Sequence, residues 1–333
     1  MELDMYLKHF KLKRAPFQMK PDDDFLYMSS QHSRALVFMD YAAWNPEGFV
    51  IISGEIGSGK TTLVKRLLKN YNGKVNTFHV AYTNFDKAEL FHYLAKQANL
   101  PVQDTNKVTL LYAINDYLKG MTKGGTPFVM VIDEAQNLSE ENLEDIRLLA
   151  GLEGPNGPML RVVLLGQPEL QGNINQVPQL RQRVKLFYHL NGLSEEETIN
   201  YIEYRLKVAG LPNNKLFDRK MMQVIFQYSS GIPRIINKIC DALLMCAYAD
   251  DRKKPMVSDL DEILDELMIN ERPGAEKPVN GEAKGANGTK TINGAKGKAE
   301  APTFNLDPSM FERMVVALEG INKNLAHLTK EKV

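Results

Sequence analysis

Phe49-Val50-Ile51-Ile52-Ser53-Gly54-Glu55-Ile56-Gly57-Ser58-Gly59-Lys60-Thr61-Thr62 is the stretch that decides the fold. Four β-forming residues, Phe49 to Ile52, deliver the backbone to Gly54. The spacing Gly54-x4-Gly59-Lys60-Thr61 then fits a loop that cradles the phosphates of a nucleoside triphosphate. Leu63 to Leu68 continue with helical spacing. Gly54, Gly57 and Gly59 are expected to take positive φ and bring backbone N–H groups close to an anion. The following helix would aim its N-terminus at the same phosphates. Lys60 would place a charge on the outer phosphates and the Thr61 hydroxyl would ligate Mg²⁺. Gly54, Glu55, Ile56, Gly57, Ser58, Gly59, Lys60, Thr61 and Thr62 are therefore the candidate nucleotide cradle. A glycine-rich turn matching by chance would lack the strand before it and the helix after it.

The chain has 333 residues, of which 44% are hydrophobic, enough for about two domains with real cores. Lys plus Arg and Asp plus Glu both number 41, so no global basic field draws the chain onto nucleic acid. Cys240 and Cys246 read as small core residues of a reducing compartment rather than a disulfide or metal pair. No signal peptide is evident and no run approaches the ~18 apolar residues of a membrane span, so the expected location is the cytoplasm.

Outward from the loop, residues 1–48 read as a mixed segment. Its first thirty residues are mixed in character: Phe10, Leu12, Pro16-Phe17 and Pro21 through Tyr27 read as an irregular segment packed by aromatics, and a helix follows from Ser29-Ser30 to Trp44. Val75–Tyr82, Phe128–Ile132, Leu160–Leu165 and Lys185–Leu190 read as further strands. Phe128 to Ile132 is apolar on both faces, as the middle of a parallel sheet requires. Helical patterns at 86–98, 107–119 and 139–152 alternate with these strands, giving a doubly wound α/β domain over 49–193. From Ser194, where Ser194-Glu195-Glu196-Glu197 forms a capping box, the pattern is helix only, and 194–270 reads as a small all-α lid. Residues 271–303 carry almost no large apolar side chains and read as a flexible linker. In 304–333, Phe311, Met314, Leu318, Ile321, Leu325 and Leu328 alternate at three and four. That seam reads as a self-associating or partner-binding coiled coil, with a helix docked on the same chain as the alternative.

Asp133-Glu134 ends the all-apolar strand. Asp133 is placed to hold the Mg²⁺ shell opposite Thr61, and Glu134 to act as general base on the attacking water. The competing reading is that the pair caps the next helix. Gln167, just past the following strand, would hold the lytic water or touch the γ-phosphate. Arg181 and Arg183 precede the fifth strand, where a guanidinium would reach a neighbouring subunit's phosphates or else form a surface ion pair. Arg234 opens a lid helix after Pro233 and would cross to the bound nucleotide.

Together, Gly54-Glu55-x-Gly57-x-Gly59-Lys60-Thr61-Thr62, Ile132-Asp133-Glu134-Ala135-Gln136-Asn137-Leu138, Arg147-Leu148-Leu149, Gly166-Gln167-Pro168-Glu169-Leu170, Gln182-Arg183 and Gly231-Ile232-Pro233-Arg234 resemble the ExeA-like (general secretion pathway protein A) AAA+ ATPases. Pro16-Phe17, Pro21-Asp22, Phe25-Leu26-Tyr27 and His32 resemble that family's opening, near the adenine pocket. The resemblance, over about residues 6 to 250, implies an AAA+ ATPase domain with a lid, ATP with Mg²⁺, and self-association. It implies Walker A roles for Lys60 and Thr61, Walker B roles for Asp133 and Glu134, and sensor roles for Gln167 and Arg234. Arg183 becomes the finger candidate. It further implies work on secretion, pilus or exopolysaccharide machinery, peripheral to the inner membrane. Pro178 stands where the family has an arginine, which weakens any two-arginine finger. The linker and heptad segment stand where secretion members continue into a membrane helix and a peptidoglycan-binding domain. A second reading is an ATPase similar to transposition regulators that assembles on DNA. The neutral charge balance disfavours it, although Lys65, Arg66, Lys69 and Lys74 could form a local basic patch.

Overall fold

The structure, a computed structural model, describes residues 2–267 apart from 21, 72, 87–88, 102–105, 212 and 214–215. The expected linker (271–303) and heptad helix (304–333) lie outside the described residues.

Five parallel strands form one sheet in the order β2-β3-β6-β1-β7. They are β1 (Phe49–Gly54), β2 (Asn76–Val80), β3 (Phe128–Ile132), β6 (Leu160–Gly166) and β7 (Leu186–Leu190). β4 (Glu153–Gly154) and β5 (Gly157–Pro158) make a small antiparallel hairpin ahead of β6. β1 and β3 are buried along their whole length, which explains their unbroken apolar runs. β1 sits between β6 and β7, so the chain leaves it, crosses over β6 and β3, and returns. In such sheets the crevice for a ligand opens at the carboxyl ends of the strands where the order switches. The ends of β1, β3 and β6 carry the glycine-rich loop, Asp133-Glu134 and Gln167 respectively.

Helices α2 (Ser30–Trp44), α3 (Lys60–Tyr71), α4 (Glu89–Gln97), α5 (Lys107–Met121), α6 (Glu140–Ala150), α7 (Glu169–Asn175) and α8 (Pro178–Arg183) accompany the sheet. One core joins Ile51, Met130, Ile132, Val162 and Leu164 of the strands to Leu90, Leu94, Leu110, Ile114 and Ile146 of the helices. Ser139 opens α6 and Ser194 opens α9 (Glu195–Val208), each through a reciprocal capping box.

A second core is built by α9, α10 (Arg219–Ser229), α11 (Pro233–Ala249) and α12 (Asp259–Glu266). The start of the chain belongs to this core and not to the sheet: Tyr6, Phe10, Leu12, Phe17 and Phe25 are buried in it. Residues 2–9, for which the sequence suggested no element, form helix α1 (Glu2–His9). Tyr6 and Phe10 lie four residues apart and meet edge to face at 5.5 Å, and Tyr6 meets Tyr248 of α11 at 6.1 Å. Cys240 and Cys246 lie on α11 and are not joined in a disulfide, and Cys240 is fully buried.

Candidate active site

The glycine-rich loop leaves β1 and turns into α3. Gly57 and Gly59 adopt φ of 85° and 104°, the left-handed backbone that other residues avoid. Gly54 corrects the expectation: it is not among the positive-φ residues, and what it permits is close approach. A Cβ there would stand 2.7 Å from the Leu190 carbonyl oxygen of β7. Lys60, the first residue of α3, is buried and its Nζ donates to the Gly54 and Glu55 carbonyls at 2.7 and 3.0 Å. Burial pulls its pKa below the usual lysine value, while Glu134, Asp133 and Glu55 pull the other way. Ser58 Oγ is buried with no hydrogen-bond partner among the described residues.

His32 of α2 supports this loop from behind. Its Nε2 lies 2.8 Å from the Ser58 carbonyl, and a carbonyl only accepts, so Nε2 carries the proton. Nδ1 then accepts from Ser29 Oγ at 2.7 Å. Burial lowers the His32 pKa and favours this neutral form, against the opposing pull of the Ser58 carbonyl and Glu197.

At the tip of β3, Asp133 is buried and its backbone N–H donates to the Val80 carbonyl at 2.9 Å, extending the ladder by one residue. Its Oδ1 accepts the Glu134 N–H at 3.0 Å. Glu134 takes the left-handed conformation (φ 53°, ψ 37°), unusual for a residue with a side chain, and heads a short 3₁₀ turn, Ala135–Asn137. Its carboxylate makes no capping hydrogen bond to that turn. The carboxylate instead accepts from Gln136 Nε2 at 2.8 Å. Thr83 Oγ1 donates to the Glu134 carbonyl at 2.9 Å. Ile132 pairs with Leu164 of β6, so the end of β6 and Gln167 stand beside the Asp133-Glu134 turn.

A cleft of about 450 Å³ runs across these ends. Ile56, Gly57, Gly59, Lys60, Thr61, Thr62, Glu134, Gln167 and Arg234 all line it, so the structure brings these expected residues together. Asp133, next to Glu134 in the chain, is buried and does not itself line it. Arg234 arrives because Leu193 N–H, on the connection into α9, donates to the Gly231 carbonyl at 2.8 Å. That bond holds the start of α11 against the loop, where the Arg234 N–H faces the Gly57 carbonyl at 3.3 Å. Arg183 is elsewhere. With Gln182 it borders a separate hollow with Pro46, Gly48 and Phe49, at the starts of the strands whose ends carry the cleft.

The far wall was not read from the sequence in full. Tyr201, Arg205 and Asn237 face the cleft from α9 and α11, packed beside Gln18, Phe25 and Tyr27. Arg205 is buried and donates to the Pro16 carbonyl at 2.5 Å, the Gln18 carbonyl at 3.3 Å and Tyr201 Oη at 2.9 Å. Tyr201 in turn donates to Asn237 at 2.9 Å. Arginine and asparagine on the apolar faces of α9 and α11 were the available signal.

Residues 45–174 match the AAA domain family. General secretion pathway protein A of Aeromonas hydrophila is 36% identical over 259 residues, 77% of this chain and 47% of that protein. The chain thus spans about half the length of that relative. Among solved structures, Cdc6p from Pyrobaculum aerophilum superposes with a TM-score of 0.59 at 18% identity, covering 74% of this chain and 71% of that one. The Aeropyrum pernix ORC2 protein, in its ADPNP–ADP complexes, gives 0.56 at 15% identity, covering 76% and 71%. At these identities the likeness is one of fold. The match over 45–174, the parallel sheet and the loop-and-carboxylate cleft make this chain an AAA-type P-loop ATP hydrolase similar to general secretion pathway protein A.

Proposed function

We propose that this ATPase works as an oligomer in which one subunit completes the site of the next. We further propose that it spends ATP on positioning or remodelling components of a membrane-associated secretion or pilus apparatus. The observation that carries the oligomer is the separation of the parts. Lys60, Glu134, Gln167 and Arg234 share one cleft, whereas Arg183 borders a hollow at the opposite ends of the same strands. An arginine that cannot reach its own cleft is available to a neighbour's, where a planar guanidinium stabilises charge developing on phosphate. The apparatus rests on the 36% identity to general secretion pathway protein A, which this chain covers over only 47% of that protein's length. Among the described residues no helix is long and apolar enough to cross a membrane.

The cleft fits Mg·ATP. The φ > 0 loop and the unpartnered Ser58 Oγ suit phosphate oxygens, and Lys60 supplies a buried cation. No group of three or more His, Cys, Asp or Glu side chains among the described residues could cage a metal. Thr61 and Asp133 would hold Mg²⁺, as suits an ion that keeps water and phosphate oxygens as its main ligands. When bound, Mg²⁺ would neutralise charge on the phosphates. Glu134 would take the proton of the attacking water, Gln167 would orient that water or the γ-phosphate, and Arg234 would report nucleotide state to the lid. The body 49–193 and the lid 194–270 are the two moving parts in this reading.

Mixing two inactive variants tests the shared site. Lys60→Ala loses its own cleft but keeps Arg183, and Arg183→Ala keeps its cleft but loses the arginine. Mixtures should recover turnover that neither has alone, and turnover per chain should rise with protein concentration. Inactive mixtures together with concentration-independent turnover of the natural chain would sink the proposal. Light scattering with and without ATP, and with duplex DNA added, reports the assembly directly.

A further inference from the structure

Gln136 stands between the two residues assigned to the water and the γ-phosphate. Its Nε2 donates to Glu134 Oε2 at 2.8 Å, and its Oε1 accepts the Gln167 backbone N–H at 3.0 Å. Its own backbone carbonyl accepts from Asn173 Nδ2 of α7 at 3.0 Å, which fixes the peptide the side chain hangs from. The amide orientation is set by these partners. Turned over, its NH₂ would face an N–H donor and its oxygen would face a carboxylate, two repulsive contacts in place of two bonds. The strand end of β6 leaves room for it: a Cβ on Gly166 would stand 2.9 Å from Gln136 Oε1 and 3.2 Å from Gln136 N.

We infer that Gln136 is a positioning residue for hydrolysis, one that sets the direction of the Glu134 carboxylate and ties it to the backbone of Gln167. This rests on the reading of Glu134 as general base. Glu134 needs such a guide. It caps nothing, its backbone is left-handed, and its side chain borders open space, so the amide bond is what adds direction to the non-directional attraction of Lys60. A displacement of the β6 end, as when Gln167 engages a phosphate, is passed through one side chain to the base. The amide does not itself touch the reacting atoms, so its loss changes the chemical step and leaves nucleotide binding in place.

The test uses the full chain and compares Glu134→Gln, Gln136→Leu, Gln136→Glu and the double variant Glu134→Gln/Gln136→Leu. Binding of a fluorescent ATP analogue and single-turnover hydrolysis are read for each. Glu134→Gln should bind nucleotide and lose about 10²- to 10⁴-fold in rate. Gln136→Leu should lose about 10- to 100-fold in kcat, the scale of a misaligned reacting group, with KM within about threefold. Gln136→Glu keeps the acceptor for Gln167 and nearly the same shape, but replaces the donor to Glu134 with a like charge. It should be at least as slow as Gln136→Leu while melting close to the natural chain. The double variant should be no slower than Glu134→Gln, because Gln136 acts only through that carboxylate. Retained turnover in Glu134→Gln would overturn the general-base reading itself. An inactive Glu134→Gln beside Gln136 variants of natural kcat, or a double variant slowed by the product of both effects, would overturn the role of Gln136 alone.

Discussion

Glu197→Ala should unlatch helix α9 from α2 at a measurable cost. The Glu197 carboxylate accepts the Ser30 N–H at 3.0 Å and Ser30 Oγ at 2.8 Å across 167 positions of sequence, and the Ser194 N–H at 3.2 Å as half of the α9 capping box. The two Ser30 bonds are solvent-exposed, so water replaces them and each contributes about 0.5 kcal/mol, the low end for a net hydrogen bond. The capping bond adds about 1 kcal/mol. The sum is about 2 kcal/mol. For a chain of this size that lowers the melting temperature by about 3–4 °C. Glu196→Ala is the control, since it removes a neighbouring first-turn charge without those partners and should change stability by less than about 0.5 kcal/mol. The effect also has a pH signature. Burial pushes the Glu197 pKa up, but the bonds from Ser30 and Ser194 outweigh it and hold the carboxyl below the ordinary value. Its contribution is therefore complete above the ordinary glutamate range, about pH 4.3, and is lost as pH falls through the lower native value. Differential scanning fluorimetry from pH 3 to 8 on both variants and the natural chain makes the measurement. Equal melting temperatures for Glu197→Ala and Glu196→Ala at pH 7 would refute the latch.

Three further outcomes follow from the same geometry. Gly57→Ala should weaken ATP-analogue binding at least tenfold in a fluorescence titration. A Cβ there would stand 2.3 Å from Arg234 Cβ, and its left-handed backbone costs a side chain about 1–2 kcal/mol. The buried neutral His32 contributes stability that is complete above about pH 6.5 and declines as pH falls below it, because the unfolded imidazole then binds the proton more readily. His32→Gln should flatten that part of the melting-temperature profile. Arg205→Met should strip the Pro16 and Gln18 carbonyls of a buried donor, lower the melting temperature by several degrees and loosen nucleotide binding, read in the same two assays.

What was legible in the sequence was whatever is encoded over short spans. The glycine spacing, the apolar runs of β1 and β3 and the Ser194/Glu197 box each act within a few residues, and each appears where it was expected. Helix α1 was missed because its partners are far away: His9 Nε2 lies 2.8 Å from the Arg252 carbonyl, 243 positions on. Eight residues are too few for a period to show by itself. Gln136 was visible only as a letter between Glu134 and Leu138. Its meaning comes from β3 lying beside β6, a pairing that local pattern does not specify. Gly54 had the right residue type for the wrong reason, since crowding by β7 rather than positive φ excludes a side chain there.

The cleft lies between two cores, and this bears on how ATP would move the lid. Lys60, Glu134 and Gln167 stand on the sheet and its core, whereas Tyr201, Arg205, Asn237 and the Gln18–Tyr27 segment stand on the helical core. Glu197 to Ser30 and Arg234 N–H to the Gly57 carbonyl join the two sides, and His32 to Ser58 carries the α2 end of the joint on to the loop. At about 0.5–1.5 kcal/mol net for each bond, such a joint is worth about 3 kcal/mol. That is the size of a typical coupling energy between two sites. A nucleotide that touches both walls needs only a comparable difference in contact between the closed and open arrangements to decide between them, because a ligand shifts an equilibrium by its differential affinity and no more. The joint is weak enough for the γ-phosphate to matter. A lid welded on by apolar packing would not be.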